Sequence, residues 1–150
     1  MTENLPSGYL VSDEQERVDV RVVHGYLSRS YWAKGIPIDL VERSIRNCVA
    51  VGCYTAAGEQ VGLVRFISDY ATFCYVADVF VLEKHRGRGL SKAMMAFGMR
   101  HPRLQGLRRW QLVTLDAHGL YAGFGFAAPS YPERHMEKVV HDIYERPAGG

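Results

Sequence analysis

One long apolar segment, followed closely by glycines and a second apolar segment, limits the folds open to this chain. The first segment, TFCYVADVFVL (72–82), alternates with a period of two and is predicted to be a strand. Because both of its faces are apolar, we expect it in the middle of a sheet. Asp78 is the one charged exception. One predicted face carries Tyr75, Ala77, Val79 and Val81, and the other carries Cys74, Val76, Asp78, Phe80 and Leu82.

The stretch HRGRGLSKAMM (85–95) follows this strand and opens a predicted helix that stops before Pro102. It matches neither the Walker A loop nor the dinucleotide fingerprint, since Lys92 stands where the third glycine would be needed. A helix N-terminus behind flexible glycines nevertheless exposes free N–H groups to a phosphate. The alternative is a solvated basic turn in which Gly87 and Gly89 serve the backbone alone. The preceding central strand favours phosphate binding.

The first part of the chain predicts a strand, two helices and a hairpin. Residues 8–12 form a short strand, and 13–32 fit either a helix or a strand, with the acidic start favouring a helix. A clearer helix follows Pro37. CVAVGCY (48–54) and QVGLVRFIS (60–68) are predicted to pair as an antiparallel hairpin.

After the predicted helix at 90–101, the chain returns to strands. RRWQLVTLD (108–116) is predicted to be a strand, with Asp116 as the N-cap of a short helix that Gly123 and Gly125 break. HMEKVVHD (135–142) is predicted to be the last strand. The whole pattern is that of an α/β or α+β sheet, with a helix crossing between the fourth and fifth predicted strands.

The composition narrows the function classes. A chain of 150 residues without a linker or repeat is predicted to be a single domain, 1–150. A net charge of +2 gives little support for binding nucleic acid or a membrane, and no apolar run approaches membrane-spanning length. The cysteines lie in apolar runs and no signal peptide precedes them, so we expect buried thiols in a cytoplasmic protein. These cysteines are Cys48, Cys53 and Cys74.

Two motifs resemble those of one enzyme family. DVFVLEKHRGRGLSKAMM (78–95) resembles motif A of the GNAT superfamily of acetyl-CoA-dependent N-acetyltransferases, in which R/Q-x-x-G-x-G/A follows a strand and opens a helix. Arg86, Gly89 and Ser91 occupy those places, with Ser91 replacing glycine or alanine. LYAGFGF (120–126) resembles the second family signature, and the element order over roughly residues 8–140 is also similar. The resemblance implies a mixed central sheet of six to seven strands, splayed between strands 4 and 5, with helices on both faces.

The resemblance also implies how acetyl-CoA is bound as the co-substrate. Backbone groups of Phe80, Val81 and Leu82 are expected to pair with the pantetheine arm as another strand would. The pyrophosphate is expected to bind the N–H groups of the loop and helix start, which are those of Arg86, Gly87, Arg88, Gly89, Leu90 and Ser91.

Acyl transfer to nitrogen requires an oxyanion donor, an acid and a route for the amine proton. The resemblance implies the N–H of Val81 as the donor and Tyr121 as the general acid that protonates the leaving thiolate. Asp78 is the candidate base, because a carboxylate on an apolar strand has a raised pKa unless a cation pairs with it. Pairing with Arg65 is the structural alternative for Asp78, and core packing is the alternative for Tyr121.

The acceptor side is less defined. Tyr31 and Trp32 lie in SYWAKGIP (30–37), the region that lines the acceptor cleft in the family, although packing under a loop explains them equally well. Asp69 and Asp116 are candidates for attracting a cationic amine. The histidines, including His118, show no metal-binding spacing, so no metal is expected.

The acceptor class remains open among a small amine, an amino acid and a peptide, and family habit adds a homodimer as a further expectation. A catalytically inactive acyl-CoA-binding or sensing domain is the first alternative function, and Tyr121 argues against it. A nucleic-acid-binding module is the second alternative, and it lacks a recognised motif. It would use the basic residues Arg86, Arg88, Lys92, Arg108 and Arg109.

Overall fold

The computed structural model describes residues 1–146 and contains one six-stranded sheet whose strands follow chain order. Each strand is antiparallel to the next except the last two, which are parallel. The predicted hairpin is confirmed. The strands are β1 (Thr2–Asn4), β2 (Leu10–Ser12), β3 (Val49–Tyr54), β4 (Gln60–Ser68), β5 (Phe73–Val81) and β6 (Arg109–Gln111).

In the described part of the chain, four α-helices cover the sheet: α1 (Val20–Leu27), α2 (Ile38–Arg46), α3 (Leu90–Met99) and α4 (His118–Ala122). The helical interpretation of the ambiguous early segment is confirmed. The carboxylate of Asp19 accepts hydrogen bonds from the N–H groups of Arg21 and Val22, and this N-cap fixes where α1 begins. The helix after Pro37 is also confirmed, and Pro37 itself is the N-cap residue.

Two hydrophobic cores lie on opposite faces of the sheet. The first core packs α3 and α4 against the sheet and includes Phe66, Met94 and Tyr121. The second packs α1 and α2 against the other face and includes Leu63 and Phe80. This arrangement confirms the mixed sheet with helices on both faces.

A β-bulge at Asp78 changes the predicted alternation of β5. Asp78 has a positive φ of 54°, and the pairing with β4 shifts register between Leu63 and Arg65. A bulge adds one residue to its strand and therefore inverts the facing of the residues that follow. Cys74 and Val76 consequently share the first core with Val81, whereas Phe80 lies in the second core. The expectation of one unbroken alternation through 72–82 was wrong for this reason.

The last two strands pair only briefly. Their register joins Phe73 to Arg109, Cys74 to Trp110 and Tyr75 to Gln111. Beyond Tyr75, β5 continues to Val81 paired with β4 but not with β6, so a gap opens beside its second half. This gap confirms the splay that was expected between the fourth and fifth predicted strands.

Several predicted boundaries were wrong. The strand expected at 108–116 is confined to Arg109–Gln111, and residues 135–142 are exposed and form no strand, because no described strand pairs with them. β1, at the chain start, was not predicted. Asp116 does not cap α4: the N-cap residue is Ala117, whose N–H donates to Thr114 Oγ1 at 3.0 Å.

Candidate active site

The head of α3 presents a row of free backbone donors. Within residues 1–146, no group accepts a hydrogen bond from any backbone N–H between Gly87 and Lys92, and the first helical bond is donated by Ala93 to the carbonyl of Gly89. The N–H of Arg86 donates to the backbone carbonyl of Glu83 at 3.3 Å and is therefore already in use. The predicted row of free N–H donors ran from Arg86 to Ser91. The observed row begins one residue later, at Gly87, and ends one residue later, at Lys92. We call residues 87–92 the cradle.

The two cradle glycines are required by the backbone. Gly87 and Gly89 have φ values of 76° and 72°, in the left-handed region that favours glycine. No atom lies within 4 Å of a Cβ built on either residue, so the space above them is open. The same backbone turn that demands glycine therefore exposes these N–H groups to an anion.

Arg86 connects the cradle loop to the end of β5 and to α1. Its Nε donates to the carbonyl of Val81 at 2.9 Å, and its guanidinium also donates to the hydroxyl of Tyr26 at 3.2 Å. The Tyr26 ring stacks on Phe80 with 4.2 Å between the ring centroids. Arg86 therefore holds the cradle loop, the end of β5 and α1 together. No local pattern in the sequence predicts this contact of Tyr26 with Arg86.

The backbone of β5 has one free edge beside the gap. The N–H of Leu82 donates to the carbonyl of Val61 at 2.8 Å, so its polar groups point towards β4. The direction of the backbone N–H and C=O groups alternates along an antiparallel strand. Those of Phe80, opposite Leu63, therefore also point towards β4, whereas those of Val81 point towards the gap. Of the three residues expected to pair with the pantetheine arm, Val81 has the free N–H.

Tyr121 lies on α4 and is 7% exposed. Burial raises the pKa of its phenol, and the nearby Asp116 carboxylate and Tyr31 hydroxyl raise it further. No described residue makes a hydrogen bond to its hydroxyl within residues 1–146. The Tyr121 hydroxyl is thus a neutral O–H group that remains available to a ligand.

Asp78 is paired with Arg65. Its Oδ2 accepts from Arg65 Nε at 2.6 Å, and its Oδ1 accepts from Trp32 Nε1 at 2.8 Å. Burial lowers the pKa of Arg65, but the attraction and hydrogen bond of Asp78, together with those of Cys48, outweigh burial and raise it overall. The premise of an unpaired carboxylate, on which the prediction of a base rested, does not hold.

Aromatic side chains lie beside the bulge, on the second-core face. Tyr31 and Trp32 make an edge-to-face pair with ring centroids 5.1 Å apart, and they are 72% and 41% exposed. Because Trp32 is bonded to Asp78, these rings lie next to the point where the gap opens. At these exposures neither ring is buried under a loop.

The remaining acidic candidates differ in what they contact. The carboxylate of Asp69 accepts hydrogen bonds from the Thr72 hydroxyl and from the N–H groups of Thr72, Ala71 and Phe73, and these bonds lower its pKa. Asp69 therefore stabilises the turn between β4 and β5. Asp116 is exposed and acts electrostatically on Tyr121.

The three cysteines are buried, as predicted, and unpaired. Burial raises the pKa of Cys53 to about 11 and that of Cys74 to about 12, so neither thiol is a thiolate near neutral pH. Among residues 1–146, no cluster of three or more acidic, histidine or cysteine side chains is arranged to hold a metal ion. None of the helices in that part of the chain has the length and apolarity needed to cross a bilayer.

Comparisons with known proteins agree with this geometry. Residues 44–128 match the family model of the acetyltransferase (GNAT) domain. A candidate acetyltransferase of Gibberella zeae is 32% identical, with 75% of each chain covered.

Solved structures of acetyltransferases are also similar to this chain. A candidate GNAT acetyltransferase from Xanthomonas campestris pv. campestris is 49% identical with a TM-score of 0.88, covering 92% of this chain and 97% of its own. A Clostridium acetobutylicum structure, described as a predicted acetyltransferase with acetyl-CoA, shares the fold at 14% identity and a TM-score of 0.61. It covers 93% of this chain and 96% of its own. The matched domain, the relatives and the splayed sheet together establish that this chain belongs to the GNAT family of acetyltransferases.

Proposed function

We propose that this protein transfers the acetyl group of acetyl-CoA to a primary amine. The observation that carries the proposal is the row of free N–H groups at residues 87–92, directly beside the gap between β5 and β6. Family membership supports acetyl transfer in general. The presence of acetyl-CoA in the C. acetobutylicum structure supports that co-substrate.

The cradle is suited to the pyrophosphate of acetyl-CoA. Several convergent N–H donors at the positive end of a helix stabilise a doubly charged group without a metal ion. From the cradle, the pantetheine arm would run along the free edge of β5. At its far end the arm would bring the thioester carbonyl to the N–H of Val81, and the Arg86 guanidinium holds the Val81 carbonyl.

The chemistry follows from the groups around the gap. As the amine nitrogen bonds to the thioester carbon, the N–H of Val81 stabilises the negative charge that develops on the carbonyl oxygen. The carbon–sulfur bond then breaks, and the Tyr121 hydroxyl gives its proton to the departing sulfur. Its raised pKa keeps Tyr121 protonated at neutral pH, as an acid requires. The amine loses its own proton to water.

We assign Asp78 a positioning role. Each of its carboxylate oxygens accepts one hydrogen bond, from Arg65 or from Trp32, and so holds the bulge and the Trp32 ring together. Trp32 and Tyr31 would wall the acceptor pocket. The exposed Asp116 adds negative charge, which favours an acceptor that arrives as a cation.

Ligand-induced stabilisation tests the binding half of this proposal. Acetyl-CoA and desulfo-CoA at about a hundredfold over their dissociation constants should each stabilise the fold by about 2.7 kcal/mol, seen as a raised melting temperature. CoA release and acetylated product are then measured across a panel of amines, amino acids and peptides. Stabilisation without turnover on any acceptor would favour the inactive binding domain, and no stabilisation at millimolar ligand would exclude both functions.

A further inference from the structure

Tyr26 of α1 supports both residues that are joined by the last peptide bond of β5. Its ring stacks on Phe80, with 4.2 Å between the centroids and 10° between the ring planes. Its hydroxyl accepts a hydrogen bond from the Arg86 guanidinium at 3.2 Å, and Arg86 Nε donates to the carbonyl of Val81 at 2.9 Å. The peptide bond between Phe80 and Val81 therefore has a support on each side, and both supports meet at one side chain.

This peptide bond carries the N–H of Val81, the proposed donor to the thioester oxygen. Such a donor is effective only when its direction is fixed before the reaction, and a small misplacement is costly. The sheet fixes it poorly at this point, because β6 does not pair with this part of β5 and the pairing with β4 is irregular between Leu63 and Arg65. A support from outside the sheet is therefore needed.

The helix that carries Tyr26 is itself fixed to the sheet. Val23 and Leu27, on the same face of α1, are 0% and 1% exposed in the second core. At the start of the helix, the N–H of Asp19 donates to the side-chain oxygen of Gln60 in β4 at 2.7 Å. Tyr26 is thus placed by a rigid element, as a residue that orients another group requires.

We propose that Tyr26 is a positioning residue for acetyl transfer, which holds the Phe80–Val81 peptide bond so that the Val81 N–H points at the thioester oxygen. The inference rests on the proposed function. The hydroxyl acts through Arg86 and the ring acts through Phe80, so no contact between Tyr26 and acetyl-CoA is required. Loss of the hydroxyl should therefore weaken an interaction of the transition state and leave acetyl-CoA affinity, which depends on the cradle, almost unchanged.

The kinetic test separates turnover from affinity, on an amine acceptor that the panel identifies. Tyr26→Phe keeps the stacked ring and removes only the hydroxyl, so kcat should fall about tenfold with an unchanged KM for acetyl-CoA. That loss is smaller than the roughly 100-fold or more expected when such a donor is removed altogether. If the hydroxyl acts through Arg86, the double variant Tyr26→Phe/Arg86→Met should be no slower than Arg86→Met alone.

Tyr9→Phe is the matched control. The Tyr9 hydroxyl is hydrogen-bonded at 2.8 Å to Nδ1 of His85, the residue before Arg86. Its removal should leave kcat within about twofold of the wild type. Circular dichroism and thermal unfolding confirm that each variant is folded. A raised KM with unchanged kcat in Tyr26→Phe, or an equal fall of kcat in Tyr9→Phe, would make Tyr26 a structural residue.

Infrared spectroscopy tests the same inference without an acceptor, using acetyl-CoA labelled with carbon-13 at the thioester carbonyl. A hydrogen bond to the carbonyl oxygen lowers its stretching frequency, so binding to the wild type should shift this band downwards. Tyr26→Phe should reverse most of the shift, and Tyr9→Phe should retain it. A wild-type shift that Tyr26→Phe leaves intact would overturn the role of Tyr26 alone. No shift in the wild type would refute Val81 as the donor, and with it both the proposed chemistry and this inference.

Discussion

The Oδ2 atom of Asp78 lies 2.6 Å from Nε of Arg65, and the two side chains are only 10% and 14% exposed. This ion pair joins adjacent strands at the bulge, where β5 leaves the regular ladder. A non-glycine residue at a φ of 54° is strained and persists only when its surroundings hold it. Arg65 and Trp32 supply that support, so the shape of the gap depends on this pair.

Replacing Asp78 with Asn should destabilise the protein by about 2 kcal/mol, because Arg65 is left partly buried without its counter-ion. The measurement is denaturant unfolding, with Arg65→Met and the double variant completing a double-mutant cycle. Glu42→Gln is the control. It breaks an exposed ion pair with Arg46, and we expect a loss below about 0.5 kcal/mol.

The same Asp78 variant separates a positioning role from a base. If Asp78 only holds the bulge and the Trp32 ring in place, Asp78→Asn should lower turnover by a similar factor at every pH. The acidic limb of the pH–rate profile should then keep its midpoint. Disappearance of that limb in the variant would instead identify Asp78 as the base.

Replacing two helical glycines with alanine should change the stability of the protein in opposite directions. A Cβ on Gly98 of α3 would lie 2.0 Å from Cζ of Phe66 in the first core, whereas a Cβ on Gly25 of α1 meets no atom within 4 Å. Gly98→Ala should therefore cost about 1–3 kcal/mol through overpacking. Gly25→Ala should stabilise by about 0.5–1 kcal/mol. Thermal unfolding measures the stability of both variants. An equal change in stability in the two would mean that α3 does not pack on β4 as described.

Tyr121→Phe retains the packed ring and removes only the hydroxyl. We expect little change in stability or in acetyl-CoA affinity and a fall in turnover of roughly 100-fold. Because its pKa is raised, Tyr121 stays protonated past pH 10, so wild-type turnover should decline only above that pH. Tyr70→Phe, at the distant β4–β5 turn, is the control. Undiminished turnover with an unchanged alkaline limb would make Tyr121 a packing residue.

Features encoded by contiguous residues could be predicted from the sequence. The apolar strand 72–82, the glycines after it and the helix from Leu90 depend on local alternation, turn chemistry and helix periodicity. The cradle was predicted for the same reason, since its donors are backbone groups of one short stretch. The observed row differs from the predicted one only in its boundaries. The N–H of Arg86 lies outside it because it donates to the backbone carbonyl of Glu83.

Features that depend on distant partners could not be predicted. The bulge at Asp78 requires Arg65 and Trp32, and the latter is 46 residues away in the chain. The contact of Tyr26 with Arg86 spans 60 residues. Residues 135–142 show the converse error: their composition favours a strand, but a strand forms only where another strand pairs with it.

Calorimetric titration of acetyl-CoA into the wild type and two glycine variants shows whether residues 87–92 bind the pyrophosphate. Gly89→Ala and Gly58→Ala both place a Cβ at a strongly positive φ, 72° and 89°, with no atom within 4 Å. Both should lose about 1 kcal/mol of stability through backbone strain. If the cradle binds the pyrophosphate, only Gly89→Ala should also weaken acetyl-CoA binding, by about tenfold or more. Equal affinity in all three folded proteins would show that the cradle does not bind the pyrophosphate.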